Sequence, residues 1–217
     1  MTVAANRRNG LTLYVDAADL AGHAVRLVLA EKALKAEIIY VTLQNRPEDL
    51  NDLNPYHQIL TLLDRDLVLY DPPIMLEYLD ERYPHPPLMP TDPISRASNR
   101  QFRRRVSREL LEVADAVAGA TKAQVKEATR VIRDNLHAIA PIFSHRKFFM
   151  SDEYSLVDCC LAPLLWRLPH FGIQLEPQAK PLARYAESLF GREAFKASLS
   201  AWERGLNTTV ASLMKPA

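Results

Sequence analysis

The sequence predicts an α/β domain of order βαβ-ββα followed by an all-helical domain. Three observations carry this expectation. Short β-rich runs are confined to the first 70 residues. Beyond residue 93, apolar residues recur at helical spacing only. Between the two stretches lies Pro84-His85-Pro86-Pro87-Leu88-Met89-Pro90, followed by Pro93, through which no helix can run. The expected units are 1–84, with 1–10 a flexible polar tail, a Pro-rich linker 85–93, and a helical domain 94–217.

The elements follow in order. Leu11 to Val15 reads as a strand, Asp16 to Asp19 as a polar loop, His23 to Lys32 as a helix and Glu37 to Val41 as a second strand. Strand, helix, strand favours parallel pairing through a right-handed crossover. Glu48 to Leu53 is a short helical turn ended by Asn54-Pro55. Thr61 to Leu63 and Leu67 to Tyr70 flank Asp64-Arg65-Asp66, a spacing that makes a hairpin. Ile74 to Tyr83 is a helix, with Pro72 and Pro73 in its first turn, where a missing N–H costs nothing. Helical spacing then covers 95–118, 122–138, 155–168, 177–190 and 193–200. One start is sharply marked: Ser155 at the N-cap with Asp158 three residues on, a carboxylate variant of the capping box. Tyr154 before it is placed to staple onto Cys159, and the apolar run that follows belongs in the core of the helical domain.

Composition excludes several classes. The 217 residues carry 27 Lys+Arg against 26 Asp+Glu, so the chain is not a dedicated nucleic-acid binder. With 48% hydrophobic residues it is not disordered. Fifteen prolines against six glycines point to stiff connections and few Gly-rich phosphate loops. Cys159 and Cys160 are neighbours and cannot staple a loop, which fits a reducing compartment. The first ten residues lack the apolar run of a signal peptide, and no stretch approaches the ~20 apolar residues of a membrane span. A cytoplasmic protein without membrane contact is expected.

Few residues form a catalytic pattern. The histidines are scattered and none pairs with another His or Cys at ligand spacing, so no metal is expected. Walker, Rossmann and Ser-His-Asp patterns are missing. The two thiols read as structural. Arg96, Arg100, Arg103, Arg104, Arg105 and Arg108 form a basic cluster, with 96, 100, 103 and 104 on one helical face. It reads as a solvated face or as charges paired with acids, Glu109 and Glu112 being near; contact with DNA phosphate or an acidic partner surface is the alternative.

Two segments are more specific. Glu77-Tyr78-Leu79-Asp80-Glu81-Arg82-Tyr83-Pro84-His85-Pro86-Pro87-Leu88-Met89-Pro90 and the run from Ser155 to Pro169 resemble the glutathione transferase superfamily. Val25 to Lys32 and Asp52-Leu53-Asn54-Pro55 add to the likeness, which spans about Asn6 to Arg204. The Tyr-Pro-His-Pro-Pro-Leu-Met-Pro string is similar to that of the RNA polymerase-associated regulators within that superfamily. The resemblance implies a thioredoxin-like first domain, a glutathione transferase-like fold and a homodimer. In such a dimer the first domain of one subunit docks on the helical domain of the other.

The resemblance also implies where glutathione chemistry would sit, and this chain departs from it at three places. The turn Asp16 to His23 carries Asp19 and no hydroxyl or thiol to stabilise a thiolate; Tyr14 is the one hydroxyl nearby. Leu60 stands where the family has a cis-proline, and its bond should be trans, the alternative costing ~2.5–4 kcal/mol. The family's acidic-Ser pair, which binds the γ-glutamyl end, has become Asp71-Pro72, without the hydroxyl or the second N–H. No cofactor and no glutathione transfer are therefore expected; a transferase or thiol peroxidase using Tyr14 is the rival reading. By resemblance, the partner is RNA polymerase holoenzyme with its sigma factor. Pro84, His85 and Pro86 would carry the contact as an extended strip, flanked by Tyr83 and Pro87, with Asp80 and Arg82 adding charge.

Overall fold

The computed structural model describes residues 10–117 and 120–215; residues 1–9 of the expected tail lie outside the described residues. Four strands form one sheet in the order β2-β1-β3-β4, from β1 (Leu11–Val15), β2 (Ala36–Tyr40), β3 (Thr61–Asp64) and β4 (Leu67–Leu69). β1 pairs with β2 in parallel, Leu13 opposite Ile38, and with β3 antiparallel, Leu13 opposite Leu62. The crossover is α1 (Leu20–Glu31), which starts three residues earlier than the sequence periodicity places it. The reason is Asp19: the residue read as loop is the N-cap, and its carboxylate accepts from the N–H of Ala21 and of Gly22 at 3.1 Å each. Gly22 is required by packing, because a Cβ there would lie 2.1 Å from Cγ2 of Val15. α2 (Asp49–Leu53) and α3 (Pro72–Arg82) complete the α/β part, α3 opening on Pro72 as expected.

The remainder is helical. α4 (Pro93–Val106) passes through a π-helical turn, Ser107–Leu111, into α5 (Glu112–Asp115). The single helix expected over 95–118 is thus interrupted, since the wider turn takes one extra residue and re-aims the faces on either side; residue 118 lies outside the described residues. α6 (Lys122–Ile139) leads through a 3-10 turn, Ala140–Ser144, to α7 (Leu156–Arg167), where every residue except Trp166 is buried. Leu161 and Leu164, fully buried there, each contribute about 2 kcal/mol of apolar burial. The α7 capping box forms as expected. Asp158 accepts from the Ser155 N–H at 2.8 Å while its other oxygen takes the Phe149 N–H and the Tyr185 hydroxyl. Cys159 Sγ lies 3.4 Å from the Tyr154 hydroxyl, and both cysteines are buried and free.

α8 (Lys180–Phe190) and α9 (Glu193–Ser198) are followed by two helices that the periodicity did not reveal, α10 (Ala201–Gly205) and α11 (Val210–Leu213). Each is under two turns and too short for a 3.6-residue period, but each begins on a capping box, at Ser200 and Thr209. α1 packs on α7, α9 and α3, so one helix serves as core for both halves of the molecule. Among the described residues no helix is long and apolar enough to cross a membrane.

Candidate functional site

The strip Pro84–Pro87 leaves the end of α3 exposed, in neither helix nor strand. Proline at three of four positions removes the donors needed to join a sheet. Among the described residues the only cis peptide lies between His85 and Pro86, a feature the sequence reading did not anticipate. The strip is held from below by an ion pair. Lys32, with no exposed side-chain surface, sits 2.5 Å from Asp80 Oδ1 and donates a second hydrogen bond of 2.5 Å to the Pro86 carbonyl. Asp80 Oδ1 also accepts from the Leu88 N–H at 2.8 Å, and the Leu88 carbonyl accepts from Leu156 at the start of α7.

This corrects one expectation. The resemblance implies Asp80 on the contact surface, but it is 6% exposed and turned inward, because α3 buries the face that carries Met75, Leu76 and Leu79. It holds the strip instead. Arg82 does reach solvent, with its Nε 4.0 Å from Asp64 and its guanidinium over the half-buried ring of Tyr83.

The second region is the turn between β1 and α1. Asp19 has its oxygens on the Ala21 and Gly22 N–H groups, and burial pushes its carboxyl above the usual range against the pull of those bonds. Tyr14 is 3% exposed and packs with Val41, Leu50, Leu53 and Leu63. Leu60 is buried, and the bond before it is trans. Asp71 caps α3 by accepting from the Ile74 N–H at 3.1 Å, with Pro72 at the next position. The carbonyls of His57 and Gln58, just before β3, accept from the Arg46 guanidinium, and Gln58 accepts also from Asn54 Nδ2.

Beneath this turn lies a buried charge cluster that sequence reasoning missed. Glu203 on α10 receives a two-pronged contact from Arg26, Nη1 and Nη2 each at 2.9 Å, and a further hydrogen bond from Arg167. His23 places Nδ1 3.1 Å from Arg167 Nη1 and Nε2 3.0 Å from Ser198 Oγ. Burial lowers the imidazole pKa to about 4 despite the nearby carboxylate, so the ring is neutral at pH 7. The Glu203 carboxyl ends well below its usual range: burial opposes ionisation, and the contacts from His23 and Arg26 outweigh it. Ser200 and Arg167 also donate to the carbonyls of Ala17 and Ala18. The cluster therefore clamps the β1–α1 turn to the helical domain. The available signals were the Ser200-x-x-Glu203 cap and two basic residues, His23 and Arg26, one turn apart on an apolar helix.

The arginine cluster is largely paired within the chain. Arg100 and the buried Arg103 both reach Glu77 on α3, Arg96 meets Glu81, Arg104 meets Glu112 and Arg105 meets Glu109. These pairs join α3 to α4 and brace the π turn. Burial opposes ionisation of Glu77, but the hydrogen bonds from Arg100 and Arg103 bring its pKa below the usual range.

A four-stranded sheet with a crossover helix, backed by a helical domain whose buried helix opens on Ser-x-x-Asp, defines a glutathione S-transferase-like protein. The model of the glutathione S-transferase C-terminal domain matches residues 81–193, and that of the N-terminal domain matches 21–82. The stringent starvation protein A homolog of Coxiella burnetii is 42% identical over 201 residues, 92% of this chain and 96% of that one. That of Pasteurella multocida is 44% identical over 200 residues, 92% and 94% of the two chains. The chain belongs to the stringent starvation protein A family. Among solved structures, a maleylacetoacetate isomerase from Anaeromyxobacter dehalogenans with bound glutathione superposes with a TM-score of 0.71 at 27% identity, covering 87% of this chain and 94% of that one.

Proposed function

We propose that the protein is a non-enzymatic transcription regulator of the stress or starvation response that docks on RNA polymerase holoenzyme, sigma factor included, as a cytoplasmic homodimer. The observation that carries this reading is the exposed strip Pro84–Pro87 mounted on the buried Lys32–Asp80 pair. A surface already ordered before contact loses little conformational freedom on binding, which favours recognition. Tyr83 and Arg82 extend the contact on one side, and Asp80 acts through the strip. The dimer reading draws support from an exposed apolar face near the sheet edge, where Tyr56 meets Tyr70 edge-on and Ile74 is 56% exposed.

The same reading takes the glutathione site as degraded. The N–H groups at the start of α1 and α3 are the natural seats for a thiolate and a γ-glutamyl carboxylate. Here Asp19 and Asp71 occupy them with the chain's own carboxylates, which also repel an incoming anion. Leu60 and Pro72 offer neither the family's cis-proline geometry nor a replacement donor. Likeness to a glutathione-bound isomerase favours the rival, a transferase or thiol peroxidase, but its candidate hydroxyl on Tyr14 lies in the core.

The test is a titration of glutathione into the purified protein by calorimetry, with holoenzyme pull-down from the same preparation. The expected result is no heat with glutathione and specific capture of holoenzyme, lost when Pro84, His85 and Pro86 become alanine in a folded dimer. Micromolar glutathione binding, or capture unchanged by those substitutions, overturns the reading.

A further inference from the structure

Where the strip ends, a cavity of about 630 Å³ opens between the linker, the first turns of α4 and the loop before α7. That volume is within the range of pockets that hold a ligand or an anchoring side chain. Its existence follows from residue size. Ser95, Ser98 and Phe102 follow one another at spacings of three and four on one face of α4, so two small hydroxyl residues lie above an aromatic floor. Larger side chains at those positions would have closed the gap.

The rim has two further properties. Asp92 and Glu153 are carboxylates, and among the described residues no Lys, Arg or His lines the cavity; the nearby Arg96, which reaches the Pro90 carbonyl at 3.4 Å, is paired with Glu81. Asp92 caps α4 through the Ser95 N–H at 2.8 Å, and the side chain of Glu153 has no partner among the described residues. Beside them Met150 is 48% exposed with φ 55°, in the left-handed region that an unbranched side chain occupies only at a cost. It is held there by the tight turn Phe148–Ser151, closed by the Phe148 N–H to the Ser151 carbonyl at 2.9 Å. A large exposed apolar side chain, next to a hollow with acidic lips, is a receiving surface.

We propose that this cavity is a socket for a protein segment of the docked polymerase that carries an arginine or lysine beside a large apolar side chain. The inference rests on the docking reading above and extends its surface from Pro87, which lines both, into the helical domain. The apolar side chain enters over Phe102 and against Met150, and the cation meets Asp92 and Glu153. Charge complementarity selects this occupant, since an acidic segment would face two carboxylates while the neighbouring cation, Arg96, is already paired with Glu81.

The experiment measures affinity of the full-length protein for immobilised holoenzyme, with thermal melts to establish folding. Ser98→Trp fills the socket and is expected to weaken binding roughly tenfold or more, the loss typical of a blocked anchor pocket. Asp92→Asn with Glu153→Gln keeps the cap and is expected to weaken binding several-fold at low salt, with the difference vanishing at high salt. If Ser98→Trp does not fold, this pair together with Met150→Ser decides the matter by the same criterion. Socket variants that bind like the wild type while His85→Ala loses binding overturn the socket and leave the docking reading standing. If His85→Ala also binds normally, the docking reading itself falls. A folded Ser98→Trp protein that keeps holoenzyme affinity but no longer dimerises assigns the cavity to a second copy of the chain and overturns the proposal as well.

Discussion

Lys32 is the point at which the strip is most exposed to perturbation. Its ammonium is completely buried and serves two acceptors, Asp80 Oδ1 and the Pro86 carbonyl, at 2.5 Å each. Among the described residues, Lys32→Ala leaves the buried Asp80 carboxylate with the Leu88 N–H as its donor and removes the Pro86 carbonyl's partner. Breaking a buried pair from one side costs about 3–5 kcal/mol. At about 2–4 °C per kcal/mol for a chain of this size, the melting temperature should fall by roughly 6–20 °C. Lys32→Met with Asp80→Leu removes both charges and should recover part of that loss, because apolar replacement of a buried pair is near neutral while the Leu88 N–H loses its acceptor at about 1–3 kcal/mol. Holoenzyme binding should not recover with it, since nothing then fixes Pro86. Melting curves and binding on the same three proteins separate stability from strip geometry. A Lys32→Ala protein that melts within about 2 °C of the wild type refutes the energetic argument. A doubly substituted protein that binds normally refutes the positioning argument.

Other consequences concern the buried network and the helix caps. His23 has its pKa lowered from 6.5 to about 4, so the unfolded chain takes up a proton that the folded one refuses. Its contribution is complete above pH 6.5 and is lost as pH falls toward 4, by up to a few kcal/mol; denaturant titrations at pH 7.5, 6 and 5 should show this decline, and His23→Gln should flatten it. Asp158→Ala removes an acceptor shared by two backbone N–H groups and the Tyr185 hydroxyl, and should cost about 3 kcal/mol or more, against about 1 kcal/mol for Ser155→Ala. Urea melts distinguish the two. Arg100 is 47% exposed, so Arg100→Ala should cost less than about 1 kcal/mol. Glu77→Ala strands the buried Arg103 and should cost about 2 kcal/mol or more by the same assay.

What was legible in the sequence is what local chemistry determines. The β1–α1–β2 crossover, the prolines opening α3, and the Ser155–Asp158 box are each written within a few residues, and each stands as expected. The π turn after Val106 was not legible, because Ser107 to Leu111 has ordinary helical composition and the wider turn answers to what packs around it. Asp80 shows the same limit in a side chain. On periodicity it borders the apolar face of α3, and its partner there, Lys32, lies 48 positions earlier, where no local pattern reveals it. The Arg26–Glu203 contact spans 177 positions, a distance over which no spacing rule speaks.

On the proposed reading, these long-range contacts account for a fold that keeps its shape without glutathione chemistry. A thiolate site on α1 needs free N–H groups at the helix start and a turn that admits a ligand. In this chain Asp19 holds those groups, and Arg167 and Ser200 hold the turn's carbonyls against α7 and α10. Both effects make the turn more rigid and less receptive at once. The buried charges of Arg26, Arg167 and Glu203 therefore stabilise the junction between sheet and helices. The surface left ordered yet uncommitted is the one where proline has removed the backbone's own donors, and Lys32 and Asp80 hold it in place from within the core.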